Sequence, residues 1–325
     1  MKQYIPTGLK QHLRKTLRKV KPVIWTNLGP VSWRLARSSP LASPPVLILS
    51  LPRSGSSWVG EILGQSESSL YLHEPITQTY LDQNVEAGPS FFEIDANNLP
   101  IGYRFAADAA FLGLPIFHHV IVKSPSQWMW RQNRQHQRAL IKEVNPFALQ
   151  WCIDEYKPRI IYLVRHPVSV ANSFSRMGWT GKQFESRLSP QTLSTLHPNY
   201  QNFTHSFWAE MGALQAVTLN RSLEILQKYD DFTVVEYEEI CADPLTTFRQ
   251  LYNFAGLQWQ QAIEDRILSK SNASNQNRTQ TYSTSRSSNA MINSWKGEVS
   301  EGVIAEVRDA YCAYNPPYYA AADDW

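Results

Sequence analysis

Val46-Leu47-Ile48-Leu49-Ser50-Leu51-Pro52-Arg53-Ser54-Gly55-Ser56-Ser57-Trp58 is the stretch that decides the fold. Val46–Ser50 is an apolar run of strand length, the pattern of a strand buried on both faces. A Pro/Ser/Gly turn follows, and residues 58–65 carry apolar side chains at helical spacing. A buried strand entering such a turn and then a helix presents backbone N–H groups and a helix N-terminus to an anion. Arg53 adds a cation, and Ser54, Ser56 and Ser57 add hydroxyl donors. The same residues also fit an ordinary serine-rich strand-to-helix turn. No Gly-Lys-Ser/Thr closes the loop, which argues against a nucleoside triphosphatase of the Walker type.

Outward from this stretch, similar apolar runs occur at residues 119–122, 159–164 and 232–236, with a shorter one at 69–72. Between them lie helical patterns at 135–155, 167–176, 203–229 and 244–255. Strands alternating with helices predict βαβ units and a mainly parallel sheet of about five strands, covered on both faces. A single α/β domain over residues 43–325 absorbs them all. Residues 270–290 are almost wholly polar and lack periodicity, which reads as a mobile loop or a lid over a ligand.

The chain has 325 residues, 43% of them hydrophobic and 18% charged, so it is globular rather than disordered. Its net charge of +3 conceals an asymmetry: residues 1–40 carry nine cations and no acid, leaving −6 for the remainder. Leu9, Leu13 and Leu17 recur every four residues among those cations. Residues 1–42 thus read as a basic extension ending in a Ser/Pro linker, either a foot on an anionic membrane or a helix docked on its own acidic domain. Nucleic acid is not the expected partner. No run of some twenty apolar residues spans a bilayer and no signal-peptide core follows the N-terminal charges, so the expected location is cytoplasmic, with peripheral membrane contact through the arm. Cys152, Cys241 and Cys312 are too dispersed for a disulfide framework or a zinc site.

After the run at 159–164 comes Arg165-His166-Pro167-Val168-Ser169-Val170-Ala171-Asn172-Ser173. Arg165 stands at the C-terminal end of a parallel strand, where open α/β sheets bind ligands. Pro167 suits the first turn of a helix, and Ser173 lies two turns further on. The pair of segments, Ser54–Trp58 and Arg165…Ser173, resembles the two signatures of sulfotransferases that use 3′-phosphoadenosine 5′-phosphosulfate (PAPS). The resemblance implies a P-loop-like three-layer α/β/α fold. It also implies a first loop that cradles the 5′-phosphosulfate, and an Arg165–Ser173 pair that holds the 3′-phosphate.

Further segments extend the resemblance from about residue 45 to about 310. Glu236-Tyr237-Glu238-Glu239…Asp243-Pro244 followed by Phe254-Ala255-Gly256-Leu257, and Ser294-Trp295-Lys296-Gly297, are similar to family elements. Val122-Lys123-Ser124-Pro125 resembles the lysine-bearing strand end of the carbohydrate and bacterial branches. The aryl and steroid branch has a histidine base where this chain has Pro125, so the base must come from elsewhere. His73-Glu74-Pro75 resembles the Glu-Pro common at this point in the carbohydrate branch, whose Glu is a favoured candidate base, so the resemblance makes Glu74 the first candidate and His73 the second. A salt bridge from Glu74 to Arg53 or Lys123 is the structural alternative. Lys123 and Arg53 are expected to neutralise charge on the transferring sulfuryl group, with no metal required. Trp58 is read as a ring for adenine or as a core tryptophan, Tyr237 as a neighbour of adenine, and Arg286 as an extra 3′-phosphate partner. The implied reaction is in-line transfer to an acceptor hydroxyl, on a carbohydrate or glycolipid-like molecule. The alternatives are a P-loop-type kinase, which would need a loop lysine and a strand-end Asp for Mg²⁺, and a non-catalytic anion-binding or membrane-docking protein.

Overall fold

The computed structural model describes residues 29–77, 92–95, 97–114, 134–180, 192, 200–271 and 292–325. Five strands, β1 (Ala42–Ser50), β2 (Ser69–His73), β3 (Arg138–Glu143), β4 (Arg159–Val164) and β5 (Phe232–Glu236), form one sheet in the order β2-β3-β1-β4-β5. Every pairing is parallel. The central strand β1 has its residues Val46–Leu49 buried, as the apolar run requires.

Side chains alternate across the pleat and build two cores. Leu47 and Leu49 face one side together with Leu70, Ile141, Ile160 and Tyr162. That side is covered by α3 (Ile101–Phe111), α4 (Leu149–Tyr156) and α6 (Phe207–Leu226). Val46 and Ile48 face the other with Leu140, Ile161 and Leu163, under α2 (Ser56–Leu63), α7 (Tyr237–Ala242), α8 (Pro244–Ala255) and α9 (Gln261–Ser271). The result is the expected three-layer α/β/α arrangement. A third cluster joins α5 (Pro167–Arg176), α6 and α10 (Glu301–Cys312) at one flank.

The strands at 159–164 and 232–236 and the helices at 167–176 and 244–255 lie where the periodicity put them. One segment differs. Residues 135–155, read as a single helix, contain β3 before α4 begins at Leu149. Arg138-Ala139-Leu140-Ile141-Lys142-Glu143 has only three apolar residues between charges, and its composition favours helix. Pairing with β1 and β2, and burial of Lys142 and Glu143 against partners in the segment just after β2, override that preference. The run at 119–122 lies outside the described residues, as does most of the polar segment 270–290.

α1 (Gly29–Ser38) falls within the basic extension, yet it packs on the domain. Ala36 is buried in the main core and Trp33 meets Phe105 of α3 at 5.5 Å between ring centroids. Among the described residues no helix is long and apolar enough to cross a membrane.

Candidate active site

The loop between β1 and α2 turns through two residues with positive φ, Arg53 at 72° and Gly55 at 92°. Gly55 caps α2 in the left-handed conformation, and no side chain caps that N-terminus. A Cβ at Gly55 would overlap the ring of Tyr237, so both φ and space demand glycine here. The open N-terminus leaves helix N–H groups directed at the carboxyl end of the sheet, the arrangement that attracts an anion. Ser50 Oγ donates to Ser56 Oγ at 2.8 Å and ties the strand to the helix start.

β4 lies beside β1, and the residue after it, Arg165, reaches the same loop. Its Nη1 donates to the Arg53 carbonyl at 3.0 Å, and its guanidinium stacks 4.4 Å from the centroid of Tyr237. Arg53 Nε in turn donates to Ser173 Oγ at 2.8 Å. Arg53 with Gly55, Arg165 with Ser173, and Tyr237, from three separate parts of the sequence, thus form one contiguous group. Ser169, one turn before Ser173 on α5, was not singled out from sequence. Its Oγ and the Nε of Arg165 are both buried without a hydrogen-bond partner among the described residues. Arg165 also makes no ion pair among them. A cation and a hydroxyl with unspent donors fit an anionic group such as a phosphate.

Trp58 is buried, with edge-on contacts to Tyr237 at 6.0 Å and Phe248 at 5.4 Å. Tyr237 fills the space between Gly55 and Arg165. Both rings therefore support the loop from beneath.

Beside Arg165, His166 is a buried, neutral helix cap. Burial lowers its pKa from 6.5 to about 3, with a backbone bond from Asp324 raising it and the charges of Lys296 and Arg165 lowering it further. Its Nδ1 accepts from Val168 N, so the proton sits on Nε2, which donates to the Asp324 carbonyl at 2.9 Å. The ring stacks on Trp295 at 4.2 Å, which brings Ser294-Trp295-Lys296-Gly297 against the Arg165 strand end. Glu238 completes the junction, accepting from His166 N at 3.2 Å and from Tyr319 Oη at 2.6 Å. The role of residues 313–325 as packing over this strand end carried no sequence signal.

On the other side of β1, His73 is the last residue of β2 and Glu74 follows it. Glu74 has a φ of 51°, rare for a non-glycine residue, and its N–H donates to the Lys142 carbonyl at 2.7 Å. Its carboxylate forms an ion pair with the ammonium of Lys142, which is 2% exposed and so held in a fixed place. His73 Nε2 is 3.6 Å from the same carboxylate, and Tyr71 Oη is 3.1 Å from His73 Nδ1. β3 lies between β2 and β1, so Lys142 stands between Glu74 and the anion loop. Two strand spacings, about 10 Å, separate the strand ends that carry Glu74 and Arg53. Lys123 and Arg286 lie outside the described residues.

Lys142 is the residue sequence reasoning missed. Its signal was present, because Ala139-Leu140-Ile141-Lys142 is a short apolar run ending in lysine, like Val120-Ile121-Val122-Lys123.

A loop with an open helix start at the carboxyl end of a parallel α/β sheet, with a carboxylate–lysine pair alongside, is the place where open α/β sheets bind ligands. A model described as "Sulfotransferase family" matches residues 44–261, two thirds of the sequence, and the chain belongs to that family. It is 23% identical over 327 residues to carbohydrate sulfotransferase 3 of Homo sapiens, covering 82% of this chain and 65% of that protein. Carbohydrate sulfotransferase 2 of Mus musculus is 21% identical over 340 residues, covering 83% and 63% respectively. The chain thus spans less than two thirds of either relative. Among solved structures, the sulfotransferase domain from the curacin biosynthetic pathway is similar at 15% identity, with 85% and 99% of the two chains covered and a TM-score of 0.46.

Proposed function

We propose that the protein transfers the sulfuryl group of PAPS to a hydroxyl of a carbohydrate. The observation that carries this reading is the convergence of Arg53, Arg165 and Ser173 on the uncapped start of α2. In the proposed complex Arg165, Ser173 and Ser169 bind the 3′-phosphate of the donor. The loop Arg53–Ser57 and the N-terminus of α2 receive its 5′-phosphosulfate, and Arg286 adds a contact to the 3′-phosphate. Trp58 and Tyr237 hold the loop and Arg165 in position beneath the adenosine.

Glu74 takes the acceptor proton as the acceptor oxygen attacks sulfur. The bond from sulfur to the bridging phosphate oxygen breaks, leaving a sulfate ester and adenosine 3′,5′-bisphosphate. Beside Lys123, to which the resemblance assigns the transferring sulfuryl group, we give Lys142 a part in the same charge stabilisation, because it pairs with the carboxylate from the strand between β2 and β1. Before reaction it anchors Glu74. As the carboxylate becomes neutral, the lysine charge is released to the negative charge growing on the leaving oxygen. His73, 3.6 Å from Glu74, is the reserve base.

The carbohydrate acceptor is supported by the two carbohydrate sulfotransferases above, at the distance their identities imply. Contact with an anionic membrane is supported by the basic arm and by the face it leads into. There Ile101 is 90% exposed and Phe105 50% exposed beside Trp33, with Arg37 5.8 Å from the indole centroid. Incubation with PAPS and a panel of mono- and oligosaccharides, read by mass spectrometry, tests the reaction. A sulfate-mass increment on a sugar hydroxyl is expected, unaffected by EDTA. Consumption of PAPS with no sulfated sugar would refute the acceptor class.

A further inference from the structure

Adjacent to Lys142, Glu143 ends β3 and points to the opposite face of the sheet. Its carboxylate is 3% exposed, too little for water to stabilise its charge, and makes no ion pair among the described residues. It is held instead by three donors from one turn. Ile76 N donates at 2.7 Å, Thr77 Oγ1 at 2.5 Å, and Thr77 N lies 3.4 Å from each oxygen. That turn begins at Glu74, two residues before Ile76.

We propose that Glu143 is a positioning residue, whose buried carboxylate pins the turn after Glu74 and so fixes the catalytic carboxylate in its left-handed backbone conformation beside Lys142. The inference rests on the reading of Glu74 as base. A buried carboxylate with no cation is costly, and a neutral side chain of the same size would fill the space more cheaply. What the charge supplies is geometry. The left-handed Glu74 backbone opposes its own sterics and persists only if its surroundings over-determine it. Glu74 N bound to Lys142 O fixes one side of that residue, and Glu143 fixes the chain just beyond it. The two consecutive residues of β3 thereby grip both ends of the turn.

Of Glu143 and the described groups that face it, Glu143 is the one whose pKa lies near neutrality. Burial raises its pKa to about 7, with the bonds from Thr77 and Ile76 lowering it, Glu74 raising it and Lys142 lowering it. Tyr103 of α3 and Cys152 of α4 face it too, and burial drives both far above the neutral range. Glu74 remains paired with Lys142. The turn is held best when Glu143 is ionised, so turnover should fall on acidification through about pH 7. Stability runs the other way. Between its unfolded value of 4.5 and about 7 the folded chain binds more protons than the unfolded one, and stability falls as pH rises through that window.

The test compares Glu143→Gln and Thr77→Val with wild type, measuring kcat, donor affinity and melting temperature from pH 5.5 to 8.5. Glu143→Gln should lower kcat about tenfold or more at pH 8 and leave affinity for adenosine 3′,5′-bisphosphate unchanged. It should flatten the limb near pH 7 and gain melting temperature over wild type as pH rises. Thr77→Val, which removes one donor, should lower kcat in the same direction by less. A Glu143→Gln enzyme with wild-type kcat and an unchanged pH profile would overturn the proposal. So would one that loses stability at every pH together with donor affinity, because that marks a purely structural carboxylate. Glu74→Gln is run alongside. Near-normal turnover there refutes the base itself, whereas a slow Glu74→Gln with a normal Glu143→Gln refutes only the positioning role.

Discussion

Arg53 donates from Nε to the hydroxyl of Ser173 at 2.8 Å, tying the loop after the central strand to the second turn of the helix after β4. Arg165 closes the circuit through the Arg53 carbonyl. The two segments proposed to bind different parts of one donor are thus mechanically coupled to each other, which would lower the ordering cost of binding.

The Glu74–Lys142 pair separates catalysis from structure. Glu74→Gln keeps shape and should reduce turnover about 10²–10⁴-fold with donor affinity retained. Lys142→Ala should lower turnover and weaken PAPS relative to adenosine 3′,5′-bisphosphate, because its target is the transferring group. Lys123→Ala should act in the same direction, as the resemblance implies for that residue. Steady-state rates together with calorimetric titrations of the two nucleotides distinguish these outcomes. If Glu74→Gln cost mainly stability, the pair would be structural, since a buried lysine left without its partner is destabilising.

Gly55→Ala should cost about 1–3 kcal/mol of stability, because its φ of 92° and its contact with Tyr237 both exclude a Cβ. Displacing Tyr237 also removes the ring under Arg165, so donor affinity should fall with it. Chemical denaturation and nucleotide titration measure the two effects, and an unchanged affinity would mean that Tyr237 does not support Arg165.

His166 makes the strand-end junction acid-sensitive. Its folded pKa of about 3 lies below the ordinary 6.5, so the folded state binds fewer protons and stability is lost as pH falls from 6.5 toward 3. The full linkage corresponds to roughly 5 kcal/mol, from about 1.4 kcal/mol for each pH unit. His166→Asn keeps a capping acceptor for Val168 N and removes the titration. Its melting temperature, lower than wild type at pH 7.5, should decline less between pH 7 and 4.5. Parallel declines would assign the acid lability to other groups.

The arm is tested by a cut at residue 28, which spares Ala36 and Trp33 in the packed helix α1. The full chain should float with anionic vesicles at low salt, and the truncated chain should float much less. Ile101→Ser with Phe105→Ser should weaken flotation further without changing donor affinity. Equal flotation of full and truncated chains would leave the arm as a helix docked on its own domain.

The strand–turn–helix geometry of the loop after β1 and of the Arg165 segment was legible in sequence because it is local. A strand, a turn and a helix start follow one another in each, and Arg165 is placed by strand length alone. The Glu74 surroundings were legible only in half. His73-Glu74 was visible at the end of a short apolar run, but its partner Lys142 sits in a segment whose local composition favours helix. Its strand character comes from pairing with β1 and β2, which no window of sequence contains. Ser169 and Glu143 escaped for a related reason, since what distinguishes them is burial with or without partners, a property of the assembled sheet.

The most direct test of the central claim is calorimetric titration of wild type and Arg165→Ala with adenosine 3′,5′-bisphosphate and with AMP. If the site is built for PAPS, wild type should bind the bisphosphate at least tenfold more tightly than AMP. Arg165→Ala should lose about 1.5–3 kcal/mol toward the bisphosphate and little toward AMP, the range of a charge-assisted hydrogen bond. Equal affinity of wild type for the two nucleotides, or an Arg165→Ala variant that binds both as wild type does, would contradict it.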